Sequence, residues 1–276
     1  MTSSVAACAA ALLFAAGVTA QELPIFDAHV HYSHDARETL PTKDAIALLR
    51  KAGVRRALVS SSDDEGTQRL LNAAPDLIIP ELRPYRTCSD VGTWVREPDI
   101  IRYVEERLAK YQYVAIGEFH LFGADADLPV PRRIVELAKK YGLMLHAHSD
   151  VDAIERLFKQ DPNARILWAH SGFTDPASVR AMLRKHKNLW ADLAFRTDHA
   201  PGGKLAPEWR EAFLEFPNRF MVGSDTYIAE RWHFIPEHAS TARRWLSELP
   251  RDIAERIGYK NGEEILGGAF AKRRID

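Results

Sequence analysis

Pro24-Ile25-Phe26-Asp27-Ala28-His29-Val30-His31 carries an apolar run straight into two histidines one residue apart. On a strand, side chains alternate between faces, so residues i and i+2 point the same way. His29 and His31 therefore project together, close enough to hold one metal ion. Alone, the pair does not separate a metal site from two incidental histidines. The rest of the chain has to decide.

Working outward, short apolar runs alternate with amphipathic stretches. Thr42 to Lys51 reads as a helix ended by Gly53. Ala57 to Ser60 is a second strand and Glu65 to Ala73 a second helix. Leu77 to Pro80 is the third strand, and Pro98 to Lys110 is a helix with proline in its first turn. Strands at Tyr113 to Glu118, Leu143 to His148 and Ala164 to His170 are separated by helices at Pro131 to Tyr141 and Asp152 to Gln160. Pro176 to Lys185 is helical, Leu189 to Leu193 a strand, Pro207 to Phe216 helical and Phe220 to Asp225 the eighth strand. Pro236 to Glu248 is the eighth helix, with two shorter ones near the end.

Strands alternating with helices imply a parallel sheet. Eight such units in roughly 250 residues is the size of a TIM (β/α)8 barrel. A doubly wound sheet is the rival, but no glycine-rich phosphate loop follows the first strand. With no linker, low-complexity segment or repeat, the chain reads as a single domain, residues 21–276.

Residues 1–20 stand apart. They hold no charged residue, are rich in alanine, and end in Val18-Thr19-Ala20, a small-x-small cleavage pattern. This is the pattern of a signal peptide, which implies a periplasmic or secreted protein with no stable membrane insertion after cleavage. Beyond it the chain has one cysteine, Cys88, read as an idle or packed thiol, so no internal disulfide is expected. Across 276 residues, 37 basic and 38 acidic side chains nearly cancel. That balance argues against nucleic acid as a partner and leaves a small-molecule substrate. A homo-oligomer is left open.

The polar groups fall at the expected strand ends: His29 and His31 on the first, Glu118 and His120 on the fourth, His146 and His148 on the fifth, His170 on the sixth, Asp225 on the eighth. Active sites of TIM barrels lie at the C-terminal ends of the strands. Imidazole and carboxylate together suit a first-row divalent metal, zinc above all. Such an ion lowers the pKa of bound water to near neutral, creating a hydroxide nucleophile. An aspartate beside it can take and return the proton. A carboxylate such as Glu118 could bridge two ions.

The pattern resembles the amidohydrolase superfamily of metal-dependent hydrolases: His-x-His on the first strand, Lys or Glu on the fourth, His on the fifth and sixth, Asp on the eighth. The resemblance spans Ile25 to Asp225, with a family-like tail at Asn261 to Phe270. Asp27-Ala28-His29-Val30-His31, Ala169-His170-Ser171-Gly172 and Gly223-Ser224-Asp225 are similar to the amidohydrolase-related branch; Ile116-Gly117-Glu118 is closer to TatD-type hydrolases. The resemblance implies His29, His31, Glu118, His148, His170 and Asp225 as metal ligands for one or two ions, with Asp225 and His170 in catalytic roles. His148 is preferred to His146 because it ends the apolar strand at the family's spacing. His146, His120, Arg196 and Tyr227 are then candidates for substrate contact, with a packed or hydrogen-bonded role as the alternative for each.

The expected activity is hydrolysis of an ester, lactone, amide or phosphoester. The rivals are a metal-dependent decarboxylase of the same superfamily, a non-catalytic metal-binding barrel, and a TatD-like nuclease, which the charge balance disfavours. His34, His186, His199, His233 and His238 are expected at the surface and Trp94, Trp209 and Trp245 in the core. Asp63-Asp64-Glu65 reads as a solvated helix start.

Overall fold

Apolar segments too short to bury themselves as helices pair side by side, and the amphipathic segments between them cover the outside. The computed structural model describes residues 22–273. The strands are β1 (Ile25–Val30), β2 (Val54–Val59), β3 (Ile78–Leu82), β4 (Ala115–Leu121), β5 (Met144–Ser149), β6 (Ile166–Trp168), β7 (Leu189–Asp192) and β8 (Phe220–Met221). They run parallel in the order β1 to β8. Bonds from Ala28 N to Val222 O (2.8 Å) and from Asp225 N to His29 O (2.8 Å) tie β8 back to β1. The result is the single-domain TIM barrel that the alternation implies.

Helix starts follow local chemistry. Asp150 accepts from Ala153 N at 2.8 Å and Asp175 from Ser178 N at 2.9 Å, with Pro176 in the first turn of its helix. Helices Thr42–Lys51, Glu65–Ala73 and Pro176–Lys185 have the bounds expected from sequence. Trp94, Trp209 and Trp245 lie in the core, as expected.

The barrel interior differs at its two ends. Phe26, Ala28, Leu58, Ile79, Met144, Leu167 and Met221 form an apolar cluster closed by Leu266 and Phe270 of the C-terminal helical segment. Gly262 permits that closure, since a Cβ there would meet the Phe26 ring at 2.3 Å. The other end holds the histidines and carboxylates. Burial with no charge at one end and convergent charge at the other fixes where chemistry can occur.

Several sequence expectations need correction. β6 stops at Trp168 and β8 at Met221, so His170 and Asp225 lie on loops past the strands. His199 is buried at 7 % exposure, wedged against Trp245 with ring centroids 5.1 Å apart. Two tryptophans around it supply burial that a sequence window does not reveal. Asp64 is fully buried: its Oδ2 accepts from Gln68, Tyr113 and Arg107, so packing, not solvation, governs it. Cys88 is a free, exposed thiol. The signal-peptide segment lies outside the described residues.

Candidate metal centre at the barrel mouth

Two register shifts aim the central side chains. One lies between Asp27 and Val30 on β1, the other between Gly117 and Phe119 on β4. Such bulges turn a strand locally and re-aim a side chain. They bracket His29 and Glu118. Asp27 Oδ1 accepts from the amides of His29 (3.2 Å) and Ser224 (2.9 Å), pinning β1 to the loop that carries Asp225. Burial pushes the Asp27 carboxyl up to about 6.

Four ligand atoms then converge. His29 Nε2 and His31 Nε2 are 3.1 Å apart. Glu118 Oε2 lies 3.6 Å from the first and 3.2 Å from the second. Asp225 Oδ1 lies 3.7 Å and 3.5 Å from them. Atoms that share one ion must lie within a few ångströms of one another, and His29, His31 and Asp225 meet that condition, as do His29, Glu118 and His170. The opposite ring nitrogens are engaged: His31 Nδ1 with Ser60 O at 2.9 Å, His29 Nδ1 with Asp192 Oδ2 at 3.2 Å. With protons on both Nδ1 atoms, two bare Nε2 lone pairs face each other. A cation or a shared proton has to stand between them. The donor set therefore fits a divalent metal.

The other oxygen of Glu118 faces a second group. Its Oε1 lies 2.9 Å from His148 Nδ1, 3.4 Å from His170 Nε2 and 3.9 Å from His120 Nε2. His170 Nδ1 is fixed by Ala194 O at 2.8 Å. Of the residues that the family pattern nominates as ligands, His29, His31, His148 and His170 are thus drawn around Glu118, and Asp225 faces His29 and His31. His120 is close by, with its amide donating to Tyr85 Oη at 2.8 Å and its ring 4.3 Å from that of His148. Burial holds the His120 imidazole down at about 4.

The electrostatics follow from this crowding. Burial opposes charge on His29, but Asp192, Glu118 and Asp225 together hold its pKa well above the usual value. Burial and then Arg83 lower that of His31. Burial raises Glu118, and His29 with the hydrogen-bonding imidazoles overcomes that, leaving it well below the carboxylate range.

Three of the remaining candidates take different places. His146 is wholly buried beneath the centre, with Nδ1 3.1 Å from Glu81 Oε2 and Nε2 2.9 Å from Asp192 Oδ2. Both nitrogens are taken, which leaves none for substrate. Burial alone would lower its pKa; the two carboxylates raise it to about 9. Arg196 donates to His170 O, Thr174 O and Asp198, and its guanidinium lies over the Trp209 ring. It braces the loop after β6. Tyr227 is 47 % exposed at the rim.

Sequence reading missed Arg83, Glu81 and Asp192. Arg83 Nη2 donates to Glu118 Oε2 at 2.8 Å and its Nε to Glu118 O at 3.0 Å, both in a buried setting. Asp192 supports His29, His146 and, through Oδ1, the amides of His170 and Ala194 at 2.9 Å each. A signal existed: Glu81 and Asp192 are acidic residues late in apolar runs, like Glu118.

The loops after β6, β7 and β8 hold residues in the left-handed region, where L-residues are rare. His170, Ser171, Gly172 and Phe173 have φ of 55°, 49°, 65° and 48°; Phe195 has 55° and Asp225 53°. Gly172 is required here, because a Cβ would meet the Trp168 ring at 2.1 Å. Non-glycine residues held at positive φ cluster at functional sites. A cavity of about 870 Å³ lies not over the histidines but beside them, lined among others by Phe195, His199, Arg231 and Trp245.

Known proteins give the same architecture. An uncharacterised TIM-barrel protein of Bordetella bronchiseptica superposes with a TM-score of 0.62 at 13% identity, covering 90% of this chain and 99% of that one. A probable 2-pyrone-4,6-dicarboxylic acid hydrolase of Acinetobacter baumannii, with citric acid bound, gives 0.59 at 13% identity, covering 88% and 99%. A TatD homologue of Escherichia coli gives 0.59 at 18% identity, covering 88% and 98%. At these identities the likeness speaks to the fold alone. No curated protein sequence matches the chain. The amidohydrolase family matches residues 26–268, from the strand of the paired histidines to the C-terminal helical segment, and the chain belongs to that family.

Proposed function

We propose that the chain is an exported, metal-dependent hydrolase acting on an ester, lactone, amide or phosphoester, with zinc as the preferred ion. The observation that carries this reading is that His29 Nε2 and His31 Nε2 lie 3.1 Å apart with Asp225 Oδ1 and Glu118 Oε2 each 3.2–3.7 Å from both, so that His29, His31 and Asp225, and His29, Glu118 and His170, form groups able to hold a divalent ion. Bound there, a divalent ion supplies Lewis acidity and makes nearby water easier to deprotonate. His29, His31, Glu118 and Asp225 would hold it, with His148 and His170 on the far side of Glu118 available to a second ion or to substrate.

The chain's own residues supply the rest. Asp192 and Ser60 O fix the orientation of His29 and His31. Arg83 orients Glu118. Asp225 takes a proton from the attacking water on its carboxylate. It returns that proton to the leaving group as the bond from acyl or phosphoryl centre to leaving atom breaks. Family membership supports a hydrolytic reaction. No helix among the described residues is long and apolar enough to cross a membrane. Export rests on residues 1–20, and the exported protein should begin at Gln21 by N-terminal sequencing.

The test is metal quantitation on purified protein, followed by a screen of lactones, esters, dipeptides and phosphotriesters with carbon dioxide measured in parallel. Stoichiometric divalent metal and hydrolysis without carbon dioxide are expected. Carbon dioxide release would make the enzyme a lyase. Protein that neither retains nor takes up metal would remove the reading.

A further inference from the structure

The rim above the histidines is aromatic. Phe122, Phe173, Phe195 and Tyr227, from the loops after β4, β6, β7 and β8, are each about half exposed, at 51, 49, 46 and 47 %. Their rings form a continuous chain with the site. Phe122 and Phe173 lie 5.8 and 5.7 Å from the His148 ring. Phe173 stacks on His170 with centroids 4.6 Å apart and planes 15° apart. Phe195 follows at 6.3 Å from Phe173, and Tyr227 at 5.6 Å from Phe195.

Folding gives no reason for these residues. An exposed phenyl ring forfeits the transfer free energy that burial would provide. Phe173 and Phe195 also have φ of 48° and 55°, where a bulky L-residue is an outlier and glycine is comfortable. Two costs at the same two positions, beside imidazoles of the candidate centre, call for a ligand that offsets them. One face of Phe173 is covered by His170, and Arg231 lies over Phe195 and Tyr227 at 4.7 and 5.5 Å from their centroids. A cationic group would be repelled there by Arg231. A flat apolar group meets no such penalty.

We propose that the compound processed at the Glu118–histidine centre carries a flat apolar substituent, aryl or arylalkyl, seated against Phe173 and Phe195 with Phe122 and Tyr227 flanking it. This rests on the hydrolase reading of the same site and names its substrate class. Offset or edge-on ring contacts of this kind are favourable beyond simple burial.

The experiment uses the full chain, loaded with zinc, and a matched pair of probes: benzohydroxamate and acetohydroxamate, which share a chelating head and differ by phenyl for methyl. Benzyl alcohol, a ring without the head, is followed separately by saturation-transfer NMR. Calorimetry should show benzohydroxamate binding about tenfold tighter or more. The double variant Phe173→Gly, Phe195→Gly should bring the pair to within about twofold without changing acetohydroxamate affinity, and should abolish the benzyl alcohol signal. Its melting temperature should hold or rise, because glycine accepts the left-handed backbone. Equal affinities in the parent, or an aryl preference that survives the variant, would overturn the proposal. So would a parent dimer that the variant dissociates, since the rings would then be a subunit contact. If neither hydroxamate binds but benzyl alcohol still makes a Phe-dependent contact, the metal reading falls and the aromatic subsite stands. A benzyl alcohol signal indifferent to the variant overturns the subsite.

Discussion

Asp192 holds His29 from behind: its Oδ2 lies 3.2 Å from His29 Nδ1, and the same oxygen takes His146 Nε2 at 2.9 Å. The carboxylate is wholly buried. Burial would raise its pKa, but His29 and His146 hold it far below the usual range. Asp192→Ala should therefore strand two buried imidazoles and two amides. We expect a loss of about 3–5 kcal/mol in urea unfolding and a fall of about 10–100-fold in zinc affinity by chelator competition. Asp192→Asn, which keeps the shape, should cost less in stability than Ala. An Asp192→Ala protein with parent-like stability and zinc affinity would show that the support is dispensable.

Removing the paired histidines should separate metal binding from folding. His29 and His31 contribute two of the four convergent donors, while the barrel's apolar end is built from other residues. The double change His29→Ala, His31→Ala should lose most bound metal by elemental analysis and keep the far-UV spectrum of a folded barrel. A large barrel core does not depend on an ion as a small zinc domain does. Stoichiometric metal in the double variant would place the centre elsewhere.

Asp225 tests chemistry rather than affinity. It faces both histidines, and its own left-handed backbone is held by the hydrogen bond its N–H donates to His29 O. Asn keeps the shape and one carbonyl oxygen but cannot accept the proton. Once a substrate is in hand, Asp225→Asn should lower kcat by at least about 10²-fold, within the range of general acid–base groups. Added metal should not restore it. Turnover within a few-fold of the parent would transfer the proton to another carboxylate, Glu118 first.

His199 should make the fold acid-sensitive. Burial pushes its imidazole down to about 4, whereas in the unfolded chain it titrates near about 6.5. Between those values the unfolded state binds the extra proton, so this contribution is complete above the unfolded pKa and is lost as pH falls from about 6.5 toward 4. The shift corresponds to about 3 kcal/mol at most. His199→Phe, which keeps a ring beside Trp209 and Trp245, should flatten that part of the stability–pH curve. Parent and variant curves that stay parallel between pH 4 and 7 would refute the assignment.

Much of this protein was legible before any fold was known. Periodicity is local, so a strand such as Met144–Ser149 and helices such as Thr42–Lys51 and Glu65–Ala73 follow from apolar spacing and their flanking residues. The count of strand–helix units then leaves little besides a barrel, and a barrel puts strand ends at one mouth. That is why His29, His31, Glu118, His120, His146, His148, His170 and Asp225 could be placed together from a linear text; it was the resemblance to the amidohydrolase pattern that picked six of them as ligands.

What the text could not hold is what depends on residues far apart in sequence. His199 and Asp64 carry polar side chains in polar-looking segments; only their neighbours across the fold, Trp245 for one and Arg107 and Tyr113 for the other, bury them. His146 and His148 share a strand face in sequence, yet Glu81 and Asp192 claim the first and Glu118 the second. The left-handed turns at His170–Phe173 and Phe195 leave no periodic trace, because a positive φ belongs to one residue and not to a repeat. The sequence by itself determined the fold class and which polar groups stand near the strand ends, since both depend on patterns along the chain. Which group faces metal, which lies beneath it and which rings stand at the rim were decided by tertiary packing, because burial and pairing are properties of the whole barrel.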